Sequence, residues 1–205
     1  MELEIRELQH KDYKKAIQFA ITGMHFDWYM DSPLLLYLYG RYFWYLEMGR
    51  ATHIISAYAG DEFAGVLLAE MKGRDKKYRT FWSLLYVKVF DFLQHLFSKD
   101  GVGVYDKANQ EMFIQYRKQN LPDGEIVFLA ANPELKIKGI GSFLLREFER
   151  REKGKKIYLY TDNACTYQFY EHRGFERVGE KDIILKLGTK KVELQCLLYS
   201  KVTDS

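Results

Sequence analysis

The 205-residue chain is 47% hydrophobic and 29% charged, the balance of a globular domain, which excludes a disordered or fibrous chain. Its 31 basic and 28 acidic side chains leave +3, too small an excess for a general nucleic-acid binder. The longest uncharged run, Ala51 to Gly60, has 10 residues, short of the roughly 18 a membrane span needs. The N-terminus (MELEIRELQHKDYKK) is charged where a secretory signal needs an apolar stretch. The two cysteines, Cys165 and Cys196, supply neither a disulfide framework nor a metal-ligand spacing. A cytoplasmic chain without metal, membrane or nucleic-acid partner is therefore expected.

In chain order, Glu2 to Leu8 alternates as a half-buried strand should. Apolar residues at helical spacing (Ala16, Ile17, Ala20, Ile21, Met24) predict a helix over Lys11 to Phe26. Asp31-Ser32-Pro33 pairs a capping side chain with a first-turn proline and predicts an aromatic-rich helix to about Met48. His53 to Ala59 and Phe63 to Met71 read as a hairpin through Gly60. A basic loop follows, Lys72 to Arg79. Phe81 to Phe97 then reads as a helix so apolar around its circumference that burial is expected, against this domain or a second subunit. Asp106 to Asn120 reads as a more polar helix, closed by the turn Leu121 to Gly124.

The second half alternates strand and helix, the pattern of a parallel strand pair. Glu125 to Ala131 is a buried strand, and Gly141, Leu144, Leu145 and Phe148 mark a helix packed on a sheet. Lys156 to Thr161 is the next strand. Asp162 or Asn163 caps a helix running to Arg173, with Gly174 at its close. Ile183 to Leu187 and Val192 to Tyr199 form a terminal hairpin through Gly188-Thr189. No internal repeat or linker divides the chain, so 1–205 reads as one domain, with 72–124 inserted between its third and fourth strands.

The chemistry sits where the strand ending at Ala131 runs through Asn132-Pro133-Glu134-Leu135-Lys136-Ile137-Lys138-Gly139-Ile140-Gly141-Ser142 into a helix. The first N–H groups of a helix have no helical partners, and its dipole adds positive potential, so an anion is held there. Gly139 and Gly141 let a phosphate approach the backbone, and Lys136 and Lys138 add positive charge. Neither a dinucleotide fingerprint nor a Walker loop fits, and the alternative is a glycine-lined helix start that holds nothing.

This run resembles the acetyl-CoA loop of the GCN5-related N-acetyltransferases (GNAT), Gln/Arg-x-x-Gly-x-Gly/Ala, with Lys136 in the first place. Asn163 to Phe175 is similar to the second motif of that family, Asn-x-x-Ala-x-x-x-Tyr-x-x-x-Gly-Phe; Asn163, Tyr170, Gly174 and Phe175 keep its register, and Thr166 replaces the small residue. The resemblance is strong over Glu125 to about Gly179 and implies an α/β fold: a mixed, mostly antiparallel sheet flanked by helices, with 125–179 as the acetyl-CoA-binding core. It also implies that the fourth and fifth strands splay around the pantetheine arm. Leu129, Ala130 and Ala131 would bond that arm, the segment Lys136, Ile137, Lys138, Gly139, Ile140, Gly141 and Ser142 would hold the pyrophosphate, and Asn163 would touch the arm.

Tyr170 matches the hydroxyl that protonates the departing CoA thiolate; a phenol is neutral at pH 7 and suits that role. Glu125 stands where the histone acetyltransferase branch carries its base, with Glu70 in reserve; the alternative for Glu125 is an exposed carboxylate after a turn. The implied activity is that of an acyltransferase, moving acetyl directly from acetyl-CoA to a primary amine of a small molecule or peptide. Rivals are another acyl group or an O-linked acceptor, a CoA-binding regulatory or scaffolding module without turnover whose partner surface is the 81–97 helix, and a nucleic-acid binder using the basic loop. A homodimer through that helix is a further expectation. His25 and His53 read as structural, Cys165 as a small buried residue, and the aromatic run Trp28 to Trp44 as core, with acceptor-pocket lining its alternative.

Overall fold

The computed structural model describes residues 2–28, 30–97, 102–187 and 190–204. Seven strands, β1 (Leu3–Arg6), β2 (His53–Ala59), β3 (Glu62–Met71), β4 (Gly124–Ala131), β5 (Lys156–Asp162), β6 (Glu176–Leu187) and β7 (Lys190–Val202), form one sheet in the order β1-β2-β3-β4-β5-β7-β6. Every neighbouring pair is antiparallel except β4 and β5, which run parallel. The helices are α1 (Tyr13–Gly23), α2 (Pro33–Arg50), α3 (Phe81–Phe97), α4 (Val102–Tyr116), α5 (Ile140–Arg151) and the short α6 (Gln168–Glu171). The sheet is mixed and mostly antiparallel, as expected.

Period-3.6 patterning places α5 on one face: Ile140, Leu144, Leu145 and Phe148 pack on Ile55, Leu67, Ala69, Ile157 and Leu197. The other face carries α1 and α2, whose Ile17, Ala20, Trp44 and Met48 meet Tyr58, Phe63, Val66 and Phe128. Each Ile, Leu, Val, Met or Phe side chain among them, fully buried, contributes about 1.5–3 kcal/mol. α2 starts as its sequence dictates, with Ser32 Oγ accepting the Leu35 N–H and Pro33 in the first turn. α4 covers the far end of the sheet, setting Ala108, Met112 and Tyr116 on Ile183, Leu185 and Leu198.

One expectation is narrowed and two need correction. α3 is not buried by its own chain: an inner face meets α2, where Tyr86 donates to the Leu38 carbonyl (3.0 Å) and Phe90 stacks on Tyr42 (4.6 Å). Its outer face stays open, with Trp82 75% and Phe92 65% exposed. α4 begins at Val102, not Asp106, and its apolar stripe is a sheet-covering one. The helix expected from Asp162 or Asn163 to Arg173 shrinks to Gln168–Glu171. Asp162 Oδ1 instead accepts the N–H groups of Ala164 (3.0 Å) and Cys165 (3.2 Å) in a turn, and Asn163 Oδ1 accepts the Gln195 N–H (3.0 Å) from β7. Gly188-Thr189, Gly101 and Tyr29 lie outside the described residues.

Candidate functional site

The β4–β5 ladder holds at Gly124 opposite Ile157 and Glu125 opposite Tyr158, and the strands then diverge. In the β3–β4 ladder Leu68 faces Phe128 while Ala69 faces Ile126, so Val127 is an extra residue in β4. A bulge of this kind bends and twists its strand, here where the seam opens. Ile126 to Ala131 form one wall of a groove of about 780 Å³, and Tyr160 to Asp162 form the other. The β5-facing backbone of β4 thus borders the groove without a strand partner. Leu129, Ala130 and Ala131 all lie in that wall.

One end of the groove is the loop into α5. Asn132, buried, closes β4 by donating from Nδ2 to the Phe63 carbonyl (3.1 Å) and accepting the Glu134 N–H at Oδ1 (3.0 Å). Gly139 caps α5 with φ +84°, a left-handed conformation that costs any other residue steric strain. A Cβ there would touch nothing within 4 Å, so conformation and not space requires the glycine. Gly141 is different, because a Cβ would come 3.3 Å from the Phe169 ring across the groove. Ile137, Gly139, Ile140, Gly141 and Ser142 line the groove, whereas Lys136 and Lys138 project into solvent outside its walls.

The Ser142 hydroxyl accepts a hydrogen bond from Arg173 Nη2 (2.5 Å), and the guanidinium lies over Phe169 at 5.7 Å. Arg173 is thus the cation the fold brings to the groove wall beside the first turn of α5. Sequence reasoning missed it, although its i+3 spacing from Tyr170 placed both on one helical side. Tyr170 lines the groove, its ring edge-on to Phe169 (5.2 Å) and Phe175 (5.7 Å). Burial, and then the neighbouring Cys165, push the Tyr170 phenol above its ordinary range, so it is neutral at pH 7. The Cys165 thiol is pushed up to about 12 by burial and then Asp162, so it is no nucleophile at neutral pH. Asn163, held by β7, does not line the groove.

Glu125 also lies outside the groove walls, on the α2 side of β4. It is no exposed carboxylate: only 9% exposed, it accepts from Arg50 Nη2 (2.6 Å) and from the Tyr158 hydroxyl (3.0 Å). Arg50 also bonds Glu70 (2.8 Å) and lies 3.4 Å from Glu47, while Lys76 pairs with Glu70 (2.6 Å). Burial raises the Glu125 carboxyl despite the pull of Arg50. Glu47 is pushed up to about 7 by burial, against Arg50 and with repulsion from Glu125 and Glu70. Glu70 stays low because the hydrogen bonds from Lys76 and Arg50 together outweigh its partial burial. Tyr160 links the two regions: its ring lines the groove, and burial followed by the Glu125 charge raises its phenol.

The groove end opposite the α5 loop is built from elements that carry no recognisable motif. Tyr105 of α4 donates its hydroxyl to Asp162 Oδ2 (3.1 Å), so the insertion supplies part of the wall. His25, just past α1, also lines the groove; its φ of +52° is unusual for a non-glycine residue, and its ring stacks on Trp28 at 4.5 Å. No sequence pattern announced either. Among the described residues no group of three His, Cys, Asp or Glu side chains is placed to hold a metal ion, and no helix is long and apolar enough to cross a membrane.

No family model and no curated protein matches the chain by sequence. Solved structures do match. The chain is similar to a histone acetyltransferase HPA2 and related acetyltransferase from Corynebacterium glutamicum over 100% of its length and 98% of that chain, with TM-score 0.61 at 15% identity. It is similar to the PaiA N-acetyltransferase of Thermoplasma acidophilum in complex with coenzyme A, covering 98% and 99% of the two chains with TM-score 0.54 at 16% identity. An N-acetyltransferase from Staphylococcus aureus Mu50 matches at TM-score 0.54 and 16% identity, over 97% and 100%. The strand order, the parallel β4–β5 seam and the helix that starts beside it are those of one architecture, and the chain has the fold of the GCN5-related N-acetyltransferases.

Proposed function

We propose that the protein is an acetyl-CoA-dependent N-acetyltransferase that moves an acetyl group directly to a primary amine of a small molecule or peptide. The observation that carries this reading is the open seam: unpaired β4 backbone forms a groove wall that leads straight to the uncapped N–H groups of α5. A pantetheine arm is an extended diamide, and backbone at Leu129 to Ala131 offers it strand-like hydrogen bonds. The diphosphate is met by the amides from Ile137 to Ser142, with Lys136 and Lys138 on the loop and Arg173 across the groove. Coenzyme A bound in the Thermoplasma PaiA enzyme supports the same occupant here.

Transfer needs an amine that has lost a proton, a polarised thioester carbonyl and a protonated thiolate leaving group. Tyr170, neutral and in the wall, is the acid. Glu125 is the proton acceptor, reached from the groove past Tyr160, and burial makes its carboxylate more basic than a free one. Asn163 orients the turn after β5 through Gln195 and so shapes the wall from behind.

The hold of Arg50 on Glu125 favours a second reading, a CoA-binding module without turnover. One experiment separates them: thiol release from acetyl-CoA across primary amines (polyamines, aminoglycosides, amino acids, peptide N-termini), beside calorimetric titration with CoA. Turnover with any amine supports the enzyme. CoA affinity without turnover supports the module, and a folded protein without CoA affinity overturns both.

A further inference from the structure

We infer that the outer face of α3, together with the basic loop before it, docks on an anionic lipid surface. Trp82, Leu85, Val89 and Phe92 recur at spacings of three and four and point away from the molecule; Trp82 is 75% exposed, Leu85 42%, Val89 50% and Phe92 65%. This is the face that sequence periodicity marked for burial and that no other part of the chain covers among the described residues. An exposed stripe of this size, rich in aromatic side chains, marks an interaction site.

Charge identifies the occupant. Lys72, Arg74, Lys76, Lys77 and Arg79 are all exposed and lead directly into α3, with Asp75 as the lone acid among them. Lys72 donates to the Pro122 carbonyl, Arg74 pairs with Glu152 and Lys76 with Glu70, which leaves Lys77, Arg79 and, on the helix between Leu85 and Phe92, Lys88 without an ion pair among the described residues. Cations before a helix N-terminus oppose the dipole, so helix stability does not explain them. Thr80 and Ser83 already satisfy that end by reciprocal side-chain to backbone hydrogen bonds (both 3.2 Å). Tryptophan and phenylalanine on one side, flanked by lysine and arginine, is the chemistry of a helix lying in a headgroup layer.

The test is co-sedimentation with vesicles of phosphatidylcholine alone and of phosphatidylcholine with one third phosphatidylglycerol. Binding is expected to the anionic vesicles, to fall as salt rises, and to weaken about 25-fold in the double variant Lys77→Gln, Arg79→Gln, at about fivefold per basic residue. Phe92→Glu should abolish it with an unchanged melting temperature, since the side chain is exposed. A blue shift of tryptophan fluorescence on anionic vesicles, lost in Trp82→Phe, would show that this helix is the part that inserts. No binding to anionic vesicles, or binding unmoved by these substitutions, overturns the inference. A lipid-free dimer that Phe92→Glu splits overturns it too, by assigning the face to a second copy.

Discussion

The hydroxyl of Tyr105 lies 3.1 Å from Asp162 Oδ2, joining the inserted helix α4 to the end of β5 across the mouth of the candidate groove. The insertion is therefore part of the site and not an appendage. Burial, then the Asp162 charge, hold this phenol far above its ordinary range, so it stays a donor throughout the neutral and mildly alkaline range. Removing a hydrogen bond to a charged partner costs about 1.5–3 kcal/mol. Tyr105→Phe is expected to raise the acceptor KM about tenfold or more while calorimetry finds CoA affinity unchanged; equal losses for both ligands would place Tyr105 on the cofactor side instead.

Tyr170→Phe removes the hydroxyl proposed as the acid but keeps the ring that packs on Phe169 and Phe175. Positioned proton transfer contributes about a hundredfold to ten-thousandfold. Steady-state kinetics should show kcat falling by at least the lower figure with little change in acetyl-CoA affinity. A variant as fast as wild type would assign the leaving-group proton to solvent.

Arg173→Met keeps much of the stem and deletes the charge beside Ser142 and the first turn of α5. A charge-assisted hydrogen bond to phosphate is among the stronger ones, about 1.5–3 kcal/mol. The Kd for CoA should rise at least about tenfold, whereas pantetheine, which lacks the diphosphate, should bind as before. Equal weakening of both ligands would mean that Arg173 serves the wall and not the anion.

Glu47 predicts a pH signature of stability. Its folded-state value of about 7 lies above the ordinary carboxylate value of 4.5, so the folded chain holds that proton more tightly than the unfolded chain. Its contribution is fully present below pH 4.5 and is lost as pH rises to about 7. Glu47→Gln, which mimics the protonated form, should flatten that decline and leave the protein more stable than wild type at pH 8. Urea unfolding at several pH values decides it; a variant less stable at pH 8 would show that the Arg50 pairing outweighs desolvation.

Local rules foretold the strands and the glycine-led helix, because β2 and β3 are short apolar runs bracketing a Gly60 turn and Leu144, Leu145 and Phe148 make a helical stripe. They overestimated α6, since Asp162 and Asn163 spend their side chains on a turn and on β7, and composition does not say which partner a polar side chain will take. For α3 they named burial against this domain or a second subunit, and its own chain covers only the inner face: period reports which faces are oily, not what covers them. The groove end beside α5 is lined by motif residues that the sequence already singled out, Gly139, Gly141 and Tyr170. Its other end is assembled from Tyr105 and His25, brought together by tertiary packing across 80 or so positions, and no local pattern encodes that meeting.

The sheet is stitched across its middle at one end only, by Gly124 with Ile157 and Glu125 with Tyr158. Such a joint behaves like an unfinished arch, whose two half-sheets lean together with a gap where the last stone belongs. A thioester carrier bonded to both walls would be that keystone, so occupancy and mechanical rigidity rise together, and amide protons along Ile126 to Ala131 would report, by how slowly they exchange, whether the arch is closed.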